Sequence, residues 1–388
     1  MTAEYSQLLA LNFLSVITLL TGVPGAVLWR YFLSKAKDIP HAKIYIPYSP
    51  LSVKYALKKV SGINALRDRE IQIVKLIKHD HLKSVFLARI DAVDYIVKIR
   101  QKNYIQSLRR ERKAFISFLI KTLPRVKGIS LPTALLNKRN VADVYTKLTS
   151  SCGNFLQEQA NNHRLSRCLA KPSNKAAPFF FPKIMRSWSS ADILIMQAVP
   201  GVPLSEYLGQ ASPRDAAFIN AVLRKNILAQ FFEHKFFHAN LFYNHIFINT
   251  KNKNKYLLYI IDAERCGALK SSKEILFLKN FISLSTKKFV KSRHYLALFS
   301  EFLPKNIFSV HKQNMLAILE KRLLNPNEAK LIKVHQRPLL CSLPAIILDV
   351  FFDLFPDYLV SISLIQALIA LQHTPCVWPK NLPHFNLA

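Results

Sequence analysis

Glycine is scarce in this chain, with 8 residues among 388, whereas average usage is about 7%. The sequence contains no G-x-G and no Walker-type G-x-x-x-x-G-K spacing. Loops of those kinds let backbone N–H groups approach phosphates closely. Their absence argues against a glycine-loop phosphate cradle.

Cysteine is also sparse, and the 5 residues are scattered without a C-x-x-C pair. An odd, dispersed set of this kind fits neither a disulfide framework nor a zinc-ribbon site. We expect reduced, structural thiols in a cytosolic environment.

Acidic residues are few: 23 Asp and Glu stand against 55 Lys and Arg, for a formal net charge of +32. Such a balance fits nucleic acid, an anionic membrane surface or an anionic substrate. No zinc-finger, RNA-platform or helix-turn-helix pattern accompanies the charge, so no nucleic acid is expected as a partner. A membrane surface fits better, because each Lys or Arg near anionic lipid contributes roughly 1 kcal/mol. A solvated basic surface is the simpler alternative.

The first 37 residues contain the longest uncharged run, from Tyr5 to Trp29. Residues 8–29 are long enough to cross a bilayer as a helix, although glycines and a proline interrupt them at 22–25. Basic residues at 30, 35 and 37 follow, which places the remaining chain on the cytoplasmic side. We therefore predict a membrane-associated segment over 1–37, in an inner membrane with the main domain cytoplasmic. A buried helical hairpin is the alternative.

The most informative stretch begins at Phe236 and ends at Asp262. It contains a polar loop with His238 and Asn240, then a hairpin, then an apolar run that ends in the Asp262 carboxylate. Kinase-like enzymes arrange their catalytic loop and metal-binding Asp in this order. A buried strand holds such a carboxylate rigidly, so that it can bind magnesium against nucleotide phosphates.

Two positions in this stretch depart from the kinase arrangement. Asn240 stands where a kinase has its catalytic Asp, and an amide cannot accept a proton, although it can position a hydroxyl or a water. His245 stands where a kinase has a metal-binding Asn, and imidazole suits zinc-type metals better than magnesium. Asn240 and His238 are the candidate catalytic residues. Asp262 and His245 are the candidate ligands of a weakened magnesium site.

Upstream segments supply the candidate nucleotide-binding residues. Residues 85–99 read as two short strands around a polar turn, with Lys98 late in the second strand. Residues 151–166 read as a helix that contains Glu158, and residues 192–197 as a buried strand before a Pro-Gly turn. A lysine paired with a helical glutamate holds nucleotide phosphates as a fixed point charge.

Taken together, these segments resemble the UbiB/AarF family of atypical protein-kinase-like proteins. The resemblance covers about residues 80–305 and is carried by five segments: 85–100 with Lys98, 155–161 with Glu158, 181–204, Phe236-Phe237-His238-Ala239-Asn240, and 260–269 with Asp262. The family's N-terminal Lys-x-Gly-Gln signature is missing from residues 1–80. Residues 78–84 replace its small-residue nucleotide loop, and Cys152 and Asn154 stand at two of its acidic positions.

The resemblance implies an α+β, two-lobed, protein-kinase-like fold with a small N-lobe of antiparallel strands and a mostly helical C-lobe. We place the N-lobe-like region at 38–196, with helical insertions, and the C-lobe at 197–388, with a hydrophobic C-terminal region. The implied cofactors are ATP and magnesium. The implied role is accessory to ubiquinone biosynthesis at the membrane, with adenine nucleotide, an anionic or quinone-pathway lipid and quinone-biosynthesis proteins as partners.

Two other interpretations remain open. Lipopolysaccharide-core sugar kinases share the fold and carry a His at the metal position, as His245 does here, and the run Asp262-Ala263-Glu264-Arg265 is similar to theirs. A pseudokinase that acts as a scaffold or binds lipid is the third interpretation. The loss of the catalytic Asp favours it, whereas the presence of Lys98, Glu158 and Asp262 favours nucleotide binding.

Overall fold

An antiparallel sheet forms the first half of the fold. A computed structural model describes residues 48–60, 66–79, 82–117, 153–169, 179–252, 255–285, 292–303 and 305–324, together with 367 and 371. The sheet has four strands in the order β1-β2-β3-β5. They are β1 (Ile71–His79), β2 (Lys83–Ile90), β3 (Val93–Arg100) and β5 (Ile193–Gln197).

Alternation along β3 gives the sheet two different faces. Val97 and Ile99 face a core made with helix α1 (Pro50–Val60) and Trp188, which lies in the short 3₁₀ helix Arg186–Trp188. Ile96 and Lys98 belong to the opposite face, where Ile96 packs with Leu194, Met196 and Phe155. Lys98 therefore points away from the larger apolar core.

The predicted hairpin over 85–99 is confirmed, with longer strands and a tighter turn. Asp91 and Ala92 form the turn with φ values of 46° and 63°. Strand β1 was not predicted. Its burial pattern lacks regular alternation because it lies at the edge of the sheet and is mostly exposed. An edge strand of this kind produces no period-2 signal.

Two helices flank this sheet in sequence, α2 (Tyr104–Ser117) and α3 (Phe155–Leu169). The helix expected over 151–166 begins later, at Phe155, because the Asn154 side chain accepts the backbone N–H of Gln157 at 3.1 Å and caps the first turn. Phe155 is fully buried and packs against Leu194 and Met196 of β5. This contact anchors the N-terminal end of α3 to the sheet.

A second sheet of four strands follows, in the order β4-β9-β8-β6. Its members are β4 (Phe179–Phe180), β6 (Val202–Pro203), β8 (Ile246–Asn252) and β9 (Lys255–Ile260). Gly201 precedes β6 with φ of +103°, and a Cβ there would lie 2.2 Å from the Ile248 carbonyl oxygen. The predicted Pro-Gly turn thus brings two backbones closer than any side chain permits.

The catalytic-loop region lies between helices and the second sheet. Helices α4 (Leu204–Gln210) and α5 (Pro213–Phe232) precede β7 (Phe236–His238). Ser212 caps α5 by accepting the Asp215 N–H, as its Ser-Pro-x-Asp start predicts. The helix ends at Phe232, and Lys235 adopts a left-handed φ of 52° as the chain turns into β7.

Strand β10 (Cys266–Ala268) pairs with β7 in antiparallel register, Cys266 opposite His238. The chain after it is helical, as expected, with α6 (Ser272–Ser285), α7 (Ser292–Phe302) and α8 (Lys305–Leu324). Phe277, Phe281 and Phe299 are almost fully buried among these helices. Burial of each such side chain contributes about 1.5–3 kcal/mol to stability.

The predicted membrane-associated segment over 1–37 lies outside the described residues. No helix within the described ranges is long and apolar enough to cross a bilayer. Of the hydrophobic C-terminal region, Ala367 and Leu371 are described, and both are fully buried. The division at 196/197 stays a prediction; β5 ends at Gln197.

Candidate active site

Lys98 lies at the centre of a buried cluster of charges. Its ammonium donates at 2.6 Å to Glu158 Oε1 and at 2.6 Å to Asp262 Oδ1. The lysine is 5% exposed and the glutamate 2%. The predicted phosphate-binding pair and the predicted metal-binding carboxylate thus meet at one ammonium group.

Glu158 reaches this cluster from the first turn of α3, whose position is set by Phe155. Only one of its carboxylate oxygens is engaged: Glu158 Oε2 is buried and accepts no hydrogen bond from the described residues. A buried carboxylate oxygen without a donor is costly. This oxygen can therefore accept a hydrogen bond from a bound ligand or water.

Asp262 comes two residues after β9, and its backbone has a left-handed φ of 62°. Asp tolerates that region better than most residues, and such conformations cluster at functional sites. The Ile261 N–H donates to the His245 carbonyl at 2.9 Å. The turn after β9 is thereby attached to the loop that contains His245, and the Asp262 carboxylate contacts the Lys98 ammonium.

The electrostatics favour a charged Lys98–Asp262 contact. Burial opposes the ammonium form, but the Asp262 and Glu158 carboxylates outweigh it and raise the pKa of Lys98. Burial likewise opposes the Asp262 carboxylate, yet Lys83, Lys98 and His245 hold the pKa of Asp262 well below its usual range. Burial raises the pKa of Glu158 against the effect of Lys98. Asp262 is therefore the main counter-ion of Lys98.

The predicted loop residues pack directly beside this cluster. The Asn240 backbone N–H donates to His238 Nδ1 at 3.2 Å, and His245 Nδ1 donates to the Asn240 carbonyl at 2.7 Å. His245 Nε2 then lies 3.9 Å from Asp262 Oδ2. The Asn240 amide is half-buried and forms no side-chain hydrogen bond within the described ranges. The structure thus brings all six predicted site residues together.

His238 is held as a neutral imidazole. Its Nδ1 accepts the Asn240 N–H and must be unprotonated, while Nε2 donates to the Ile261 carbonyl at 3.3 Å. Burial, together with His245, lowers the pKa of His238 to about 4. Both ring nitrogens are occupied by backbone groups, so His238 positions Asn240 and the 261–262 turn and is not placed to transfer a proton.

Sequence reasoning assigned no role to a second buried ion pair beside the first. Lys83 at the start of β2 donates at 2.5 Å to Glu264 Oε2 and lies 3.7 Å from Asp262 Oδ1. The signal was available, because Val85 pairs with Lys98 across the sheet and Lys83 shares the face of Val85. The Glu264 partner lies 181 residues away and had no local signal.

Helix α3 is also tied to the segment that carries the acidic residues. Asn161 Nδ2 donates to the carbonyl of Ala263 at 2.9 Å and to that of Glu264 at 3.4 Å. The Gly153 N–H donates to Glu264 Oε1. Any displacement of α3 would therefore move Glu158 and the 262–264 segment together.

A cavity of about 220 Å³ lies on another side of α3, between the helix and residues 181–186. Gln159, Asn162 and Lys183 are among its lining residues. It does not include the charge cluster, whose ammonium and carboxylate groups are in direct contact. Lys98 Nζ donates to two carboxylates and has three N–H groups.

The donor set fits a protein-held magnesium ion poorly. Magnesium takes oxygen ligands in octahedral geometry, whereas here one carboxylate and one imidazole stand near each other. Asp262 Oδ1 already contacts the Lys98 ammonium. No group of three or more His, Cys, Asp or Glu able to hold a metal occurs in the part of the chain that the structure describes. Magnesium would therefore need most of its ligands from a bound nucleotide and water.

We predict that stability falls as the pH is lowered from 6.5 to 4. The depressed pKa of His238 means that the unfolded chain binds this proton first, so acid favours unfolding. The loss attributable to His238 should approach about 3 kcal/mol near the lower limit, and thermal unfolding at a series of pH values measures it. In His238→Gln, the free energy of unfolding should depend less on pH over this range.

The exposed His163 on α3 provides the control. Its side chain is solvated in the folded and unfolded states, so His163→Gln should keep the wild-type profile. A His238→Gln profile with the wild-type slope would contradict the neutral, buried assignment of His238.

Comparison with curated proteins gives no match. Among solved structures, Rv3197 from Mycobacterium tuberculosis, in complex with erythromycin, aligns with 94% of this chain and 89% of its own, at 14% identity and a TM-score of 0.48. Rio2 kinase from Chaetomium thermophilum, in an ADP/Mg²⁺-phosphoaspartate complex, aligns with 84% of this chain and 86% of its own, at 13% identity and a TM-score of 0.35.

A model of the ABC1 atypical kinase-like domain matches residues 83–294. That range covers more than half of the chain, begins at Lys83 and contains every residue of the charge cluster. The expectation of an atypical kinase-like family and of a kinase-like fold is confirmed. This chain belongs to the family of proteins with an ABC1 atypical kinase-like domain.

Proposed function

We propose that this protein is a UbiB/AarF-type atypical kinase or ATPase homologue that binds adenine nucleotide at Lys98 and supports ubiquinone biosynthesis at a membrane. The observation that carries the nucleotide site is the double contact of Lys98, at 2.6 Å to both Glu158 and Asp262. A lysine held by a helical carboxylate is a pre-positioned point charge for phosphate oxygens.

The residues of the proposed catalytic loop fit an enzyme that lacks a strong general base. Asn240 cannot take a proton from an attacking hydroxyl, and the backbone contacts of His238 leave neither of its ring nitrogens free for one. Phosphoryl transfer depends mostly on positioning and on neutralisation of charge. Slow ATP hydrolysis or phosphoryl transfer is therefore compatible with this site, as is nucleotide binding without turnover.

The membrane and quinone parts of the proposal rest on the sequence. The uncharged run at 8–29 and the net charge of +32 support association with an anionic inner membrane, with the kinase-like region on the cytoplasmic side. The segments similar to UbiB/AarF proteins support quinone-pathway lipid or proteins as partners. Adenine nucleotide, accompanied by a weakly held magnesium ion, is the proposed cofactor.

A pseudokinase is the second candidate, and a specific observation favours it. Asp262, the proposed metal ligand, is already neutralised by a buried lysine at 2.6 Å, so the closed cluster is stable without a ligand. In that case the site has a structural role and the protein is a scaffold or binds lipid. The lipopolysaccharide-core sugar kinase interpretation stays a prediction based on His245 and the run 262–265.

Adenine nucleotide should stabilise the protein. In a thermal-shift titration with ATP or ADP and magnesium, ligand at about 100 times its Kd adds about 2.7 kcal/mol to the free energy of unfolding. Lys98→Met should abolish most of this gain because it removes the proposed phosphate contact. Asp94→Asn changes an exposed ion pair with Arg89 and should leave the gain intact. A wild-type protein that shows no nucleotide effect would favour the scaffold.

Asn240→Asp should restore a proton acceptor in the loop. General-base catalysis contributes typically about 10²–10⁴-fold, so we expect a rise of that order in ATP hydrolysis or phosphoryl transfer, measured as phosphate release. Asn244→Asp, at an exposed position of the same loop, is the matched control and should change the rate little. An Asn240→Asp protein that binds nucleotide yet stays inactive would show that more than the base is missing.

Deletion of the gene in the native host should lower the quinone content of the membrane. The full chain should restore it, and a chain without residues 8–29 should restore less and shift to the soluble fraction, because its anchor is absent. Lipid extraction and cell fractionation measure the two effects. Unchanged quinone together with altered lipopolysaccharide phosphate would instead support the sugar-kinase interpretation, and unchanged fractionation would remove the anchor from the proposal.

A further inference from the structure

Lys83 is a second buried lysine at the site, and its surroundings resemble those of Lys98. It is 4% exposed, lies 2.5 Å from Glu264 Oε2 and 3.7 Å from Asp262 Oδ1. Asp262 Oδ1 therefore has two ammonium neighbours, one from each lysine. The carboxylate that a kinase presents to a divalent cation here faces two fixed monovalent cations.

The fold places Lys83 there by the same rule that places Lys98. The two residues lie on the same face of neighbouring strands, since Val85 is opposite Lys98 and Lys83 is two positions earlier. Glu264 is fixed independently, because its other oxygen accepts the Gly153 N–H and its carbonyl accepts from Asn161. The position of the Lys83 ammonium is thus determined by the sheet and by a braced carboxylate.

Two buried ammonium groups so close together are costly unless anions surround them. Three carboxylates do so here, those of Glu158, Asp262 and Glu264. A polyphosphate can replace these carboxylates as the partner of both lysines, because its oxygens accept from several cations at once. The site fits a divalent cation poorly, because Asp262 Oδ1 already contacts both ammonium groups and its other oxygen, Oδ2, lies 3.9 Å from the His245 imidazole.

We propose that Lys83 is a second phosphate-binding residue and that Lys83 and Lys98 together supply the positive charge that divalent cations supply in other kinase-like sites. The inference rests on the proposed nucleotide-binding function. When a nucleoside diphosphate or triphosphate enters, the two ammonium groups exchange carboxylate oxygens for phosphate oxygens. No covalent bond changes in this exchange. Nucleotide binding by this protein consequently persists when divalent cations are chelated.

The simpler reading is that Lys83 and Glu264 only brace β2 against the 262–264 segment. The two readings differ in the effect of each partner. A brace needs both Lys83 and Glu264, whereas a phosphate-binding role needs Lys83 and is opposed by Glu264, which competes for the same ammonium. Variants at the two positions therefore separate the readings.

The experiment measures the binding of ADP to the full chain by calorimetry, in magnesium and in excess EDTA. We expect the wild-type Kd for ADP to change less than about tenfold between the two conditions, because the lysine ammonium groups supply most of the positive charge that the phosphates need. Lys83→Met combined with Glu264→Gln removes one positive and one negative charge and keeps the side-chain sizes. In EDTA this double variant should bind ADP about 10- to 100-fold more weakly, the effect of one lost charged hydrogen bond.

Two single variants complete the design. Glu264→Gln releases Lys83 and should bind ADP in EDTA at least as tightly as the wild type. Lys75→Met, at an exposed position of β1, removes a lysine outside the charge cluster and should bind ADP like the wild type. It shows whether the loss of any lysine of this sheet weakens binding. Thermal unfolding of each variant shows whether it is folded at the temperature of the measurement.

Several outcomes would overturn the inference. One such outcome is a wild-type protein that binds ADP in magnesium but not in EDTA. Another is a double variant that binds ADP in EDTA as tightly as the wild type. Either would contradict the role of Lys83 without contradicting nucleotide binding at Lys98. Equal losses in Glu264→Gln and in the double variant would identify a brace. A wild-type protein that binds ADP under neither condition would overturn this inference and the proposed function together.

Discussion

The ammonium group of Lys98 is the element on which the rest of the site depends. Its two carboxylate partners lie 60 and 164 residues away along the chain. One belongs to a helix, the other to the turn after a strand, and the lysine itself to the N-terminal sheet. Removing one partner from a buried ion pair typically costs about 3–5 kcal/mol. This pair of contacts therefore holds the sheet, α3 and the 261–264 turn in one arrangement.

The loop beside this cluster positions its neighbours and offers no free ring nitrogen of His238 for proton transfer. His238 is locked as a neutral ring by backbone groups on both nitrogens, and His245 joins the Asn240 carbonyl to the neighbourhood of Asp262. The contacts around Lys98 are buried and closely spaced, while position 240 carries an amide that cannot accept a proton. The charge cluster and the loop are therefore built from different residues and have separate supports.

Helix α3 couples the two ion pairs physically. It carries Glu158, and through Asn161 it contacts the backbone of residues 263 and 264. Phe155 attaches its first turn to the sheet. A ligand that separates Lys98 from Asp262 would therefore act on the same helix that positions the Lys83–Glu264 pair. The five charged residues of the cluster therefore share their structural supports.

Sequence patterns alone were enough for much of this description. Alternation in 85–99 predicted the hairpin and the position of Lys98, the Ser-Pro-x-Asp run is a local capping signal for α5, and the motif 236–240 indicated a kinase-like loop. These signals are local, because strand alternation, capping and loop motifs act over a few residues. The edge strand β1 and the late start of α3 were missed, since exposure and a single cap decide them.

What only the tertiary structure decided is which carboxylate meets which lysine. Glu264 is an ordinary acidic residue in the printed sequence, and Lys83 one of 55 basic residues. Their contact exists because β2, α3 and the turn after β9 pack at one point, and that packing depends on apolar contacts spread over the whole chain. Local patterns determine which residues are available and which way they face. Their partners are determined by burial, which strengthens a charge contact only once distant segments have excluded water.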